Sequence, residues 1–416
     1  MSFKLGSGVY VADVIMGGGK STSAINMINS ADDDERFIYL TPYTDEYNRI
    51  ADGCKHRGVI VPDVKEGHGA RIKHVQQLLK EGANISSSHA LFDRYTVDMG
   101  EDIQKYNYTL FLDESYDVVR TAAKSKIADV QMMINRGDVI ADEKTGELSF
   151  TDGFEPMKGT SLEETYQDIR TGRLIKCGEK LLFWKFPIHL LMSFKRIIIL
   201  TYLFSSTCLK AYLEQHNVSF EYIGTKPLPA GGFRFCPVEE MPDYAAGLKD
   251  KVHILDNKKL NSIGDDWGAL SVTRVRKDIS ENNAEMVKKL GRNIRNVHKN
   301  IYKCKNRDFI WSTCKDAIPY IGDKNIRARH VTWNQRAVNS YSSCHYMAYG
   351  LNIHNRPECA SYFSTFGGTF SQDDYALGNM VQWIWRSAIR NGEEVWIYLP
   401  SKRMRTLLEG WLERVS

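Results

Sequence analysis

Gly17-Gly18-Gly19-Lys20-Ser21-Thr22 follows an apolar run, Val9 to Ile15, that reads as a strand. A glycine-rich turn between strand and helix, closed by a lysine and a hydroxyl, is suited to gripping a nucleoside triphosphate. Gly17, Gly18 and Gly19 let main-chain N–H groups approach phosphate oxygens with no Cβ in the way. Lys20 brings a point charge to the β- and γ-oxygens, Ser21 can ligate magnesium, and Thr22 continues into the helix. The full eight-residue pattern has glycine where this chain has Val14, so only its shorter core is present, and an ordinary flexible turn is the competing reading.

A second motif weakens that alternative. Tyr108 to Leu112 is a short apolar run ending in Asp113-Glu114. Two acids at the carboxyl end of a buried strand are costly unless a cation awaits them. Asp113 suits the magnesium ion, and Glu114 suits the water that attacks the γ-phosphate.

Cationic side chains recur in the second half. On a helix expected over about Asn283 to Tyr302, Met286, Leu290, Ile294, Val297 and Ile301 form an apolar stripe, and Lys288, Arg292, Arg295 and Lys299 lie nearly opposite. A solvated face and a phosphate-backbone contact both fit this pattern. A further helix, about Asp374 to Arg390, places Gln382, Arg386 and Arg390 on one face. An arginine fork there can pair two phosphate oxygens, while a surface pair at a helix end is the plainer reading.

These groups need a scaffold, and strands alternating with helices supply one. Strands are expected at Arg36–Leu40, Gly58–Val61, Ala83–His89, Tyr108–Leu112 and Arg196–Tyr202, with helices at Ser21–Ile28 and Ala70–Leu79. That alternation predicts an α/β fold with a parallel sheet whose strand ends carry the ligand. The long interval after Asp113 predicts an insertion at about 124–187. Clustered Pro and Gly mark 226–250 as a linker between an N-terminal domain, 1–225, and a C-terminal one, 251–416. In the latter, strands are expected at Ala269–Val272, Phe309–Thr313, Ala328–Trp333 and Val395–Leu399.

The 416 residues exceed one ordinary core, and 43% hydrophobic content is that of a globular protein. Net charge is only +4, but residues 251–416 carry 26 Lys and Arg against 16 Asp and Glu, whereas the first 250 carry 29 against 35. Such asymmetry suits one part that meets a polyanion and another that handles nucleotide and metal. The eight cysteines include no Cys-x-x-Cys pair, which argues against a disulfide framework or zinc ribbon, and the loose group Cys344, His345, His354 and Cys359 fits no common zinc spacing. The most apolar stretch, 181–204, is broken by Lys185, Pro187, His189, Lys195 and Arg196, so a cytoplasmic protein without a membrane span is expected.

The order of these pieces resembles the superfamily-2 helicases, closest to the DEAD/DEAH-type helicase-like proteins of bacteriophages and prophages. Residues 17–22 match motif I and Asp113-Glu114 motif II. Tyr39-Leu40-Thr41-Pro42 with Arg49 is similar to motif Ia, 86–92 to the next strand-binding motif, 200–204 to motif III, 310–313 to motif IV, 334–339 to motif V and 382–390 to motif VI. The resemblance implies two tandem RecA-like domains, ATP and Mg2+ as cofactors, and nucleic acid, DNA rather than RNA, as partner. It implies strand contacts by Thr41, Arg49, Ser88 and His89, a motif VI role for Gln382, and an arginine finger at Arg386, with Arg390 beside it. It further implies a helicase or translocase working with phage replication or recombination proteins in the host cytoplasm. The ATPase of a DNA-packaging motor and a nucleotide-switched DNA-binding scaffold are the alternatives, and oligomeric state is not legible.

Overall fold

The computed structural model describes residues 3–67, 69–157, 159–178, 181–322, 324–333, 340–354 and 357–415. The chain forms two compact units. One comprises Met1–Val14, Gly18–Pro242 and Arg356–Phe370, the other Ile15–Gly17, Asp243–Asn355 and Ser371–Ser416.

The first unit is built on strands β1 (Gly8–Asp13), β2 (Phe37–Thr41), β3 (Ile85–Ser88) and β4 (Thr109–Asp113). An insertion then supplies β5 (Val119–Thr121), β6 (Val139–Ala141), β7 (Leu148–Phe150), β8 (Leu174–Cys177) and β9 (Leu181–Lys185). The chain returns through β10 (Arg196–Thr201) and β11 (Glu221–Tyr222), and a hairpin follows, β12 (Gly224–Pro227) and β13 (Phe233–Cys236). The main sheet has the order β11-β1-β10-β4-β2-β3, and all its pairs are parallel. Near-continuous apolar runs such as Ile197-Ile198-Ile199-Leu200 suit strands covered on both faces. Helix α1 (Lys20–Ser30) follows β1 and helix α2 (Thr44–Gly53) follows β2.

The insertion begins earlier than position 124, because β5 pairs with β9 in an antiparallel sheet of order β5-β9-β8. Gly58–Val61 is not a strand. It makes a single bridge, Ile60 to Ile85, and Pro62 then removes a backbone donor. The stretch read as a linker holds most of the β12–β13 hairpin. Its Gly231 and Gly232 adopt φ of 90° and 83°, as the turn requires, and Leu228 N–H donates to the Gly232 carbonyl at 2.9 Å. Late in the sequence, the helix Pro357–Phe366 belongs to this unit, where Cys359, Tyr362 and Phe363 join the hydrophobic core and the Tyr362 ring meets Phe183 edge-on at 5.2 Å.

The second unit holds a parallel sheet of order β14-β17-β16-β15, with β14 (Val252–Ile254), β15 (Phe309–Ser312), β16 (Tyr346–Tyr349) and β17 (Val395–Tyr398). Two expected strands are absent. Ser271 caps a helix, Val272–Ser280, by accepting from Arg274 N–H at 3.3 Å, so 269–272 turns into that helix. Residues 328–333 make one bridge, His330 to Trp311. β14 and β16 take the strand places instead.

The basic helix spans Glu285–Asn296 and continues as a π turn, Val297–Ile301. Val287, Leu290, Ile294 and Val297 are buried, while Met286 is only half-buried and Ile301 lies outside, because the wider turn shifts the face. The helix near the C-terminus is shorter than expected. It runs Gln372–Ile384, then Ser387 turns extended and Ala388–Asn391 form a 3₁₀ turn. Gln382, Arg386 and Arg390 therefore share no helical face. The expected motif V, 334–339, lies outside the described residues.

Candidate nucleotide site at the carboxyl edge of the first sheet

The loop after β1 enters α1 through Gly19, whose φ of 81° is left-handed, and no side chain caps the helix. The first-turn N–H groups of such a helix face outward with the positive end of its dipole, as an anion site requires. Lys20 is the first helical residue, and its ammonium donates to the Val14 carbonyl at the start of the loop, 2.5 Å away.

The β12–β13 hairpin braces this loop. The Thr225 hydroxyl donates to the Gly18 carbonyl, and Asn26 of α1 donates to the Phe233 carbonyl at 2.8 Å. The Phe233 ring lies so close to Gly19 that a Cβ there would stand 2.0 Å from it. Glycine is thus required twice at this position, by its backbone angle and by the ring.

Asp113 ends β4, two strands from β1 in the sheet. The Tyr39 hydroxyl donates to Asp113 Oδ2 at 2.8 Å and is hydrogen-bonded to the Ser21 hydroxyl, so one buried phenol joins the loop serine to the strand-end carboxylate. Burial, with Asp113 close by, holds the Tyr39 phenol well above its ordinary pKa and keeps it a donor. Its ring stacks on Phe111, which stacks in turn on Phe235 of the hairpin at 6.5 Å. Burial pushes the Asp113 carboxyl up to about 7; the charges of Glu114 and Glu46 raise it too, while the Tyr39 bond and Lys20 oppose the shift.

Glu114 follows with φ 65°, an angle that costs a non-glycine residue about 1 kcal/mol, and its N–H donates to the Leu200 carbonyl at 2.9 Å. The turn sends the chain abruptly away from the strand at the residue expected to face water. Thr41, on the same sheet face as Asp113, is 1% exposed, and its hydroxyl has no hydrogen-bond partner among the described residues. Asp13 ends β1 opposite Thr201. Burial raises its pKa against the Phe204 and Leu203 N–H groups and Lys20, and its Oδ1 is likewise buried without a partner.

An orphaned hydroxyl beside a buried carboxylate, a phenol and a serine makes an all-oxygen donor set, and such a set fits a hard divalent cation that keeps several waters.

Other expected site residues are placed differently. Arg49 on α2 pairs with Glu46 at 2.5 Å, close enough to Asp113 and Tyr39 to feel their charge. The Ser88 hydroxyl caps a short helix by accepting from Leu91 N–H at 3.2 Å, and His89 packs edge-on to Tyr116 at 5.3 Å. In the second unit Lys288, Arg292, Arg295 and Lys299 are exposed, with Lys288 paired to Glu285 at 3.0 Å. Arg386 is 5% exposed and donates to the main-chain carbonyls of Thr332 at 2.8 Å and Trp333 at 3.5 Å, while Gln382 is half-buried and Arg390 exposed. Sequence reading missed Asp13, Tyr39 as the link, Glu46, and the bracing pair Thr225 and Phe233. Only Tyr39 had a signal, since it lies two residues before Thr41 and so on the same strand face.

All eight cysteines are free, and the described residues contain no group of three or more His, Cys, Asp or Glu arranged to hold a metal. No described helix is long and apolar enough to cross a membrane.

Fold and site together define a mixed α/β protein with two parallel sheets and a strand–glycine loop–helix turn on the first. The chain is 34% identical over 415 residues to the SPbeta prophage-derived protein YonV of Bacillus subtilis (strain 168), covering 97% of this chain and 98% of that one. It belongs to the YonV family. Residues 246–412 match the YonV C-terminal Rossmann-like domain. Among solved structures, similarity is found to the DUF1998 helicase MrfA bound to DNA and AMPPNP, at 11% identity and a TM-score of 0.37, over 98% of this chain and 48% of that one. This chain thus spans about half the length of MrfA. A DEAD box protein from Methanococcus jannaschii matches at 12% identity and a TM-score of 0.28, over 98% of this chain and 86% of that one. Scores this low leave two tandem RecA-like domains unestablished.

Proposed function

We propose that the first unit binds and hydrolyses ATP with Mg2+, and that the chain is a nucleic-acid-dependent ATPase of the helicase or translocase kind acting on DNA. One observation carries the reading: the chain from half-buried Ser21 through buried Tyr39 to buried Asp113, set at the mouth of a braced glycine loop. The loop N–H groups and Lys20 hold the phosphates. Ser21 and Asp113 hold the magnesium, which when bound neutralises charge on the β- and γ-oxygens. Glu114 takes the proton of the attacking water, and Tyr39 keeps Asp113 aimed as the nucleotide enters. Lys288, Arg292, Arg295 and Lys299 contact the strand backbone.

A second reading, a nucleotide-switched DNA-binding scaffold, is favoured by Arg386, whose guanidinium is engaged within its own unit. ATP turnover by the wild type and Lys20→Ala, with and without single-stranded and duplex DNA, separates them. Turnover stimulated by DNA and abolished by Lys20→Ala supports the motor. Slow unstimulated turnover supports the switch, and normal turnover by Lys20→Ala overturns the site itself.

A further inference from the structure

Trp267 is 71% exposed, the most exposed large hydrophobic side chain among the described residues. It sits in the segment between the helices Lys258–Asn261 and Val272–Ser280 of the second unit. The backbone beneath it is held firmly. Asn352, buried just beyond the end of β16, donates its side-chain N–H groups to the carbonyls of Trp267 at 2.6 Å and Ala269 at 3.2 Å, and its main-chain N–H to Leu270 at 3.1 Å. Arg403 fixes Asn352 in turn, donating to its Oδ1 at 3.0 Å and to the Ile353 carbonyl at 2.7 Å. Leu270 is fully buried at φ 61° and pins the segment from inside. The indole rests against the His354 ring, with centroids 4.5 Å apart. An exposed indole on so rigid a base is displayed rather than merely tolerated.

Its size limits what it can receive. One tryptophan offers at most roughly 150–250 Å² of contact, well below the ~800 Å² per partner of a specific protein interface. The other exposed large hydrophobics described in this unit, Ile301 and Tyr320, lie on other elements. A nucleobase matches the indole face in area and chemistry. The neighbouring Asp265 and Asp266 are exposed acceptors suited to N–H donors on a base edge, and they disfavour phosphate at this spot. Arg403 is engaged by Asp373 at 2.6 Å as well as by Asn352, which leaves it poorly placed to grip the phosphates of a free nucleotide.

We infer that Trp267, backed by His354, is a stacking platform for one base of a single-stranded nucleic acid whose phosphates are held elsewhere. The inference rests on the nucleic-acid reading above and adds a contact which that reading does not contain.

The test uses the full chain as wild type, Trp267→Ala and Trp267→Phe. Affinity is read by fluorescence anisotropy of a labelled oligo-dT of about 16 nucleotides, with dTMP as competitor. Trp267→Ala should weaken oligo-dT binding about 5- to 150-fold, the range that a base–aromatic stack supplies. Trp267→Phe should recover most of the loss, and dTMP should compete only weakly. Wild-type affinity in Trp267→Ala overturns the platform while leaving the nucleic-acid reading intact. Competition by dTMP as strong as by the oligomer overturns the strand assignment. Absence of oligo-dT binding by the wild type overturns the platform and the nucleic-acid reading together, and leaves the ATP site to its own assay.

Discussion

Gly19→Ala adds a single methyl group where two constraints oppose it. The left-handed backbone costs an L-residue about 1–2 kcal/mol. The new carbon would stand 2.0 Å from the Phe233 ring, so ring or loop must move, and overpacking of this kind costs about 1–3 kcal/mol. The substitution should therefore cost about 2–5 kcal/mol, a large part of the ~5–15 kcal/mol typical of a folded domain. Phe233→Ala removes the clash but not the backbone cost. In that background the alanine at 19 should cost only about 1–2 kcal/mol, leaving a coupling of about 1–3 kcal/mol between the two positions. Urea denaturation of the four proteins measures the cycle, and titration with a fluorescent ATP analogue shows whether the displaced loop has lost its grip. Additive effects, with no coupling between 19 and 233, would refute the claim that the hairpin braces the loop.

Tyr39→Phe removes the hydroxyl between Ser21 and Asp113 at a cost of about 1–3 kcal/mol. It should raise the Mg2+ concentration needed for tight nucleotide binding about tenfold or more, as read by a Mg2+ titration; an unchanged midpoint counts against the link. Asp13 has a folded pKa above its unfolded 3.8, so its contribution to stability is fully present in acid and lost as pH rises through the folded value. Asp13→Asn should therefore melt like the wild type in acid and progressively above it toward neutral and alkaline pH, and a gap that closes with rising pH contradicts the sign. Arg386→Ala strips two main-chain carbonyls of a charged donor and should cost about 3 kcal/mol in denaturant unfolding, whereas exposed Arg390→Ala should stay within about 0.5 kcal/mol. Equal stability of the two variants would show that Arg386 does not hold its unit together.

Much of the parallel scaffold was legible because buried parallel strands announce themselves as unbroken apolar runs, as at 197–200, and a glycine loop or a pair of acids after such a run marks the strand's end. Short elements were not. Val252–Ile254 and Tyr346–Tyr349 are too brief for periodicity to mark, and the latter carries Met and Ala where β-branched residues would have signalled a strand. Pro227, Pro229, Gly231 and Gly232 suggested a linker, yet the same residues make the tight turn and edge of a hairpin. The common face expected for Gln382, Arg386 and Arg390 is absent for another reason: even spacing places residues on one face only while the helix lasts, and here it stops at Ile384. At the site, the types Lys20, Ser21, Asp113 and Glu114 could be read from spacing, but the phenol that joins two of them depends on strand register.

The helix Pro357–Phe366 is made more than a hundred residues after the rest of the first unit, and it carries part of that unit's core. Domains emerging from the ribosome ordinarily close in the order of synthesis. Here the first unit stays unfinished until the ribosome has translated well into the other one, so a chain halted near residue 242 ends with an apolar wall still open to solvent. A fragment that stops at residue 242 therefore lacks the wall that Cys359, Tyr362 and Phe363 supply.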